Sequence, residues 1–284
     1  MHAYDEISLL VFTLLAQMAV GIVLVGQFAM AGGTGEIEKS RIQKQGFYAF
    51  LFVIAAGLIS CFHLGTPFHA PFSIFNLSSS WLSREILLVL LTIAAMGVMI
   101  YFCYKDPDSS WVRIFAIISS LTGLLLLYAM SRVYASPFMP NWDNSSTFFL
   151  FLASALLLGA LWQAFALDTI KKEAEDKNAL LWRIFFMALC GFALIAIFVP
   201  IGLPEPNPLI NPVSEESTLA QIISAQSLHT FLAGIGILLF LIALWRSMKN
   251  KASAFWLLIG FLFVLAGEII GRYAFYMSYG RLGM

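Results

Sequence analysis

Charge is what this sequence has least of. Asp, Glu, Lys and Arg make up 11% of its 284 residues against 60% hydrophobic, and the mean hydropathy is +0.86. Soluble domains carry about 25% charged residues, so the composition excludes that class and places the chain in a bilayer. Cysteine is scarce as well. Cys61, Cys103 and Cys190 all lie in apolar stretches without C-x-x-C spacing, which argues against a disulfide framework or an iron–sulfur cluster held by this chain. Histidine is limited to His2, His63, His69 and His229. Only His63 and His229 are placed to serve as axial ligands, which leaves open one b-type haem at most. The expectation is no haem, no iron–sulfur cluster and no metal site. Residues 1–6 lack a basic segment and lead into a full-length apolar run, so they do not read as a cleaved signal peptide. The net charge of zero hides a strong segregation and says little by itself; no nucleic-acid partner is expected.

What the chain has instead is eight long apolar runs, at 7–31, 46–64, 82–104, 112–133, 147–167, 180–203, 225–245 and 254–277. Each holds roughly 19 to 25 residues, the length an α-helix needs to cross about 30 Å of hydrocarbon. The expected fold is all-α: a polytopic membrane protein of eight transmembrane helices, forming one domain over residues 1–284. No internal repeat is legible.

The connecting segments differ sharply in charge. Lys39, Arg41 and Lys44 fall in loop 1–2, and Lys105 and Arg113 flank loop 3–4. Lys171, Lys172, Lys177 and Arg183 belong to loop 5–6, and Arg246, Lys249 and Lys251 to loop 7–8. Together these are twelve of the sixteen Lys and Arg residues. By the positive-inside rule these loops are cytoplasmic and both termini face out. The opposite side has an uncharged loop at 65–81, rich in Phe68, Phe72 and Phe75 with Pro67 and Pro71, which suits an interfacial fold-back. It also has a loop with Pro204, Pro206, Pro208 and Pro212 beside Glu205, Glu215 and Glu216, where proline density forbids a regular helix.

The remaining charges sit inside the runs, where they are costly and mark a site. Arg84 and Glu85 open the third run, Arg132 closes the fourth, and Glu268 and Arg272 lie late in the eighth. All are read toward the outer face. Glu268 and Arg272 are four residues apart and are expected to pair as a structural ion pair. His63 ends the second run, so His63 and Glu85 share a similar depth on sequential helices. A histidine titrates near neutrality, and together they suit removal of the two protons of an oxidised hydroquinone. Arg84, Arg132, Tyr134 and His69 are the supporting candidates, and His229 reads as a structural hydrogen-bonding residue. A structural alternative is a Glu85–Arg132 ion pair.

Taken in order, His63-Leu64-Gly65-Thr66-Pro67, Ser83-Arg84-Glu85-Ile86, Arg132-Val133-Tyr134 and Ala266-Gly267-Glu268-Ile269-Ile270-Gly271-Arg272, then Phe275-Tyr276, resemble the DmsC family. These are the membrane anchors of anaerobic dimethyl sulfoxide reductases, within the wider NrfD-like group. Residues 8–21 also resemble that anchor's first span. The resemblance implies a haem-free, eight-helix anchor in the bacterial inner membrane, with both termini periplasmic. It implies that menaquinol is the substrate and that electrons pass to a four-cluster iron–sulfur subunit. That subunit feeds a molybdopterin catalytic subunit, both on the periplasmic side. In the family a histidine after the second span and a glutamate in the third are associated with the quinol site; here they match His63 and Glu85. The loop at 204–216 shows no clear family pattern, which leaves the terminal acceptor open.

The main rival from another class is a secondary transporter or proton-conducting protein. Such proteins place their sites near the midplane, often at broken helices. The charges here are read near one face, which favours quinol oxidation.

Overall fold

The computed structural model describes residues 3–31, 36–61, 76–135, 142–168, 177–203, 216–249 and 251–278. They form eight α-helices: α1 (Ala3–Ala31), α2 (Glu36–Ser60), α3 (Trp81–Lys105), α4 (Ser110–Tyr134), α5 (Ser146–Asp168), α6 (Lys177–Ile201), α7 (Glu216–Met248) and α8 (Ala254–Met277). No strand occurs among the described residues. Local chemistry sets several ends. The Ser80 hydroxyl accepts from the Ser83 N–H at 3.3 Å to cap α3, and Ser109 caps α4 by accepting from Trp111, each satisfying an otherwise orphan donor.

Two helices exceed their apolar runs. α2 starts ten residues before Gly46, so Lys39, Arg41 and Lys44 lie on helix, not in a connecting loop as expected. α7 likewise starts at Glu216, nine residues before Ala225. Residues 36–45 contain no proline or glycine and are dominated by Glu, Lys, Arg, Gln and Ile, which sustain a helix beyond the hydrocarbon. Seven of the helices are long and apolar enough to cross a membrane. α2 is the one left out, because five of its first ten residues are charged and only 46–60 remain as its apolar part within the described helix, short of the ~20 residues a span needs.

Chain neighbours pair as hairpins, α1–α2, α3–α4, α5–α6 and α7–α8. Each set of four closes through a contact of its first and last helix, α1–α4 and α5–α8, and α1 packs along α5 to join the sets. The repetition is therefore in the order of neighbours, although the sequence shows none. α1 and α5 are the most enclosed helices, and their backbones touch at Gly21 and Gly159. A Cβ on Gly21 would lie 1.8 Å from the Ala155 carbonyl oxygen, and one on Gly159 would lie 2.2 Å from the Gly21 carbonyl carbon. Gln163 donates to the Ile22 carbonyl at 2.9 Å beside this crossing. Small residues that admit backbone contact, and polar side chains that bond across it, are the means by which helices associate where lipid removes the hydrophobic drive. Leu90, Ile117, Leu121, Phe231 and Phe255 point outward. A bilayer is the solvent that such a surface fits.

Candidate functional site

Two groups of polar side chains lie within the bundle, and α8 carries a share of both. Glu268, Arg272 and Tyr276 are spaced by four, so they form one stripe along α8 facing inward. Glu268 is nine residues from the last residue of α8, roughly 14 Å inside that end at 1.5 Å per residue. This is close to mid-helix, deeper than the outer-face position expected from the sequence.

At that depth the Glu268 carboxylate is 2% exposed and meets two other helices. Its Oε2 accepts from the Ser154 hydroxyl of α5 at 2.5 Å, and its Oε1 lies 3.4 Å from His229 Nε2 of α7. Arg272 does not contact Glu268 directly. Its Nη2 donates to Gln17 Oε1 of α1 at 2.8 Å and to Ser154 Oγ at 3.4 Å, and its guanidinium lies 4.1 Å from the Phe151 ring centroid. Ser154 thus stands between the charges expected to pair, and the His229 ring is the glutamate's neighbour on its other side. The far side of the His229 ring is held by Gln226, whose Oε1 is 3.3 Å from Nδ1 and whose Nε2 donates to the Gly271 carbonyl at 3.3 Å. Gly271 is needed for this fit, since a Cβ there would fall 2.5 Å from His229 Nδ1. Glu268 Oε1 and His229 Nε2 face one another, and Arg272 Nε has no hydrogen-bond partner among the described residues.

The second group lies at the end of the bundle where α3 begins and α4 ends. Glu85 is 6% exposed and makes no hydrogen bond or ion pair among the described residues, with Arg132 or any other group. It lies within electrostatic range of Tyr134 and Tyr276. Those two tyrosines join α4 to α8 through a hydroxyl–hydroxyl bond of 3.0 Å. Trp142 packs edge-on to Tyr134 at 5.5 Å, stacks on Phe275 at 5.0 Å, and donates from its indole to the Phe275 carbonyl and the Ser278 hydroxyl, each at 3.0 Å. The arginines face the other way. Arg84 donates to the Leu77 and Ser78 carbonyls at 2.7 and 2.8 Å and lies 4.1 Å from the Trp81 ring centroid. Arg132 approaches the same ring at 5.7 Å, and its Nε has no hydrogen-bond partner. Their cation–π contacts fasten Trp81 at the start of α3.

Of the expected site residues, Glu85 and Tyr134 come to one end of the bundle, and Arg84 and Arg132 flank it. His63 and His69 lie outside the described residues. Sequence reasoning missed Gln17 and Ser154, and it read His229 as a structural hydrogen-bonding residue without naming its partners, Gln226 and Glu268. The available signal was the Gly267 and Gly271 pair bracketing Glu268, which marks a close neighbour on another helix.

Removing the buried carboxylate has a definite expected result. Glu268→Ala leaves Arg272 and His229 without their negative neighbour, a loss of about 3–5 kcal/mol for a buried pair. Immunoblots of membranes should show a severalfold fall in assembled protein. Normal abundance with complete loss of quinol-dependent turnover would instead make Glu268 a participant in the reaction.

Seven helices long and apolar enough to cross a membrane, packed around buried polar side chains, define a multi-pass membrane protein. The DMSO reductase anchor subunit model, DmsC, matches residues 1–278, and the chain belongs to that family. It is 30% identical to the C subunit of anaerobic dimethyl sulfoxide reductase from Haemophilus influenzae over 281 residues, covering 97% of this sequence and 96% of that one. Two Escherichia coli K12 relatives, the YnfH and C subunits of anaerobic dimethyl sulfoxide reductases, are each 24% identical. The YnfH match covers 100% of this sequence and 98% of the relative, and the other covers 99% and 97%. The protein is thus a multi-pass bacterial membrane protein and an anchor subunit.

Proposed function

We propose that this chain anchors a dimethyl sulfoxide reductase-like complex and oxidises menaquinol at its outer, periplasmic face, with residues 1–284 acting as one unit of eight spans. Quinol gives up two protons and two electrons and becomes quinone. His63 and Glu85 accept the protons. The electrons leave to a four-cluster iron–sulfur subunit and from there to a molybdopterin catalytic subunit, both on the periplasmic side. The observation that carries this reading is Glu85: a buried carboxylate with no committed partner among the described residues, one turn into α3, within electrostatic range of the Tyr134–Tyr276 pair. A committed ion pair would hold its charge in place, whereas an uncommitted group is available to exchange a proton. Arg84 and Arg132, anchored on Trp81, add positive potential at this end, and His69, which lies outside the described residues, is the remaining supporting candidate.

The reading depends on orientation. Alkaline phosphatase fused after Asn144 should be active, and fused after Lys172 inactive, because the basic segments stay inside. Activity at Lys172 and none at Asn144 would put Glu85 on the wrong face for an exported partner and end the proposal.

A further inference from the structure

α6 and α7 pack against each other less extensively than each packs with its hairpin partner, and a groove of about 740 Å³ opens between them. That volume lies in the range of small-ligand sites. Along α7 it runs from Ile223 to Leu238, roughly 22 Å at 1.5 Å per residue. Its walls are mainly apolar, with Phe192, Val199, Phe231 and Leu238 among them, and no charged residue lines it among the described residues.

The two hydroxyls on its wall have one character. Thr230 and Ser227 already donate their hydroxyl protons to the Gln226 and Ile223 carbonyls, at 3.0 and 2.8 Å, so toward the groove they offer acceptor oxygens. Pro200 has no N–H to give the Ala196 carbonyl, and both residues line the groove. Gln226, also on the wall, binds His229 and through it reaches Glu268. An acceptor-rich, uncharged patch in a long hydrocarbon slot fits a neutral head that donates O–H groups and carries a long apolar tail. It does not fit a phosphate headgroup, for which the groove supplies no cation.

We propose that the α6–α7 groove is a binding site for a prenylated aromatic diol, with the hydroxyl-bearing head at Gln226, Ser227 and Thr230 and the prenyl tail along Phe192 to Leu238. It shares its ligand class with the reading given above but none of its residues, since the groove takes nothing from α3 or α4. Gln226 makes it the lipid-side approach to the buried His229–Glu268 pair.

The test uses the full chain in its complex in nanodiscs and a reduced prenyl-naphthoquinol with a diazirine on its tail. Label should be recovered in peptides covering 192–203 and 223–238. The unlabelled quinol should compete, its dimethyl ether should compete at least tenfold more weakly, and phosphatidylglycerol should not compete. Ala196→Trp, at an exposed wall position away from the polar network, should cut labelling at least fivefold. Gln226→Leu should weaken it about three- to tenfold, the worth of one hydrogen bond. Glu85→Gln should leave it unchanged, which separates this site from the proposed oxidation site. Equal competition by phosphatidylglycerol or by the dimethyl ether, labelling unaffected by Ala196→Trp, or label confined to α3 and α4 would each overturn the proposal.

Discussion

Gly159→Leu should abolish accumulation of folded protein in the membrane, and Gly21→Leu should do the same. The two glycines are where α1 and α5 touch backbone to backbone. Even a Cβ would come within 1.8 Å of the Ala155 carbonyl oxygen at one position and 2.2 Å of the Gly21 carbonyl carbon at the other. Neither obstacle is a flexible side chain, so relief requires the helices to part. Parting them separates the two four-helix sets along the contact that joins them, and displaces Gln17 and Ser154 from Arg272. Overpacking in a well-filled core typically costs about 1–3 kcal/mol, and a backbone collision of this depth should exceed it. Gly234→Ala is the matched control. Its Cβ would lie 3.6 Å from the Phe192 ring, an ordinary contact, and alanine favours helix. Size-exclusion profiles of a fluorescent fusion in mild detergent should show a wild-type peak for Gly234→Ala and little or none for the two leucine variants. A wild-type profile for Gly159→Leu would mean that α1 and α5 do not cross as described.

Much of this architecture is readable from hydropathy, and the reasons for the rest are physical. The run at 254–277 coincides with α8 because Ser253 and Ser278 bound a stretch that is apolar apart from Glu268, Arg272 and two tyrosines and holds no proline. α2 and α7 outrun their apolar segments because a helix continues into water wherever the residues are good helix formers, and hydropathy registers only the part in lipid. The expected pairing of Glu268 with Arg272 follows from spacing along one helix. Spacing carries no knowledge of Ser154, which arrives from α5 and takes the place between them. The partner of His229 is hidden from sequence for the same reason: Glu268 is on another helix, and Gly267 and Gly271 on α8 record how closely the histidine approaches. Glu85 is legible as a costly charge at the start of a span. Its freedom from Arg84 and Arg132 is not, because both guanidiniums turn to Trp81 instead.

That freedom gives the second large effect. With Glu85 uncommitted, Glu85→Gln removes a proton acceptor while leaving shape and packing nearly intact, so the complex should assemble. His63→Gln is the parallel change at the other proposed acceptor. General acid–base groups contribute about 10²–10⁴-fold, so losing either should reduce turnover by at least a hundredfold where proton removal from quinol limits the rate. The most direct measurement compares dimethyl sulfoxide reduction by each variant complex with menaquinol and with a reduced viologen dye, which feeds the partner subunits without this one. Near wild-type rates with the dye, with quinol-dependent rates down at least a hundredfold, are the expected result. Wild-type quinol turnover in both Glu85→Gln and His63→Gln would contradict the assignment of quinol oxidation to these two residues.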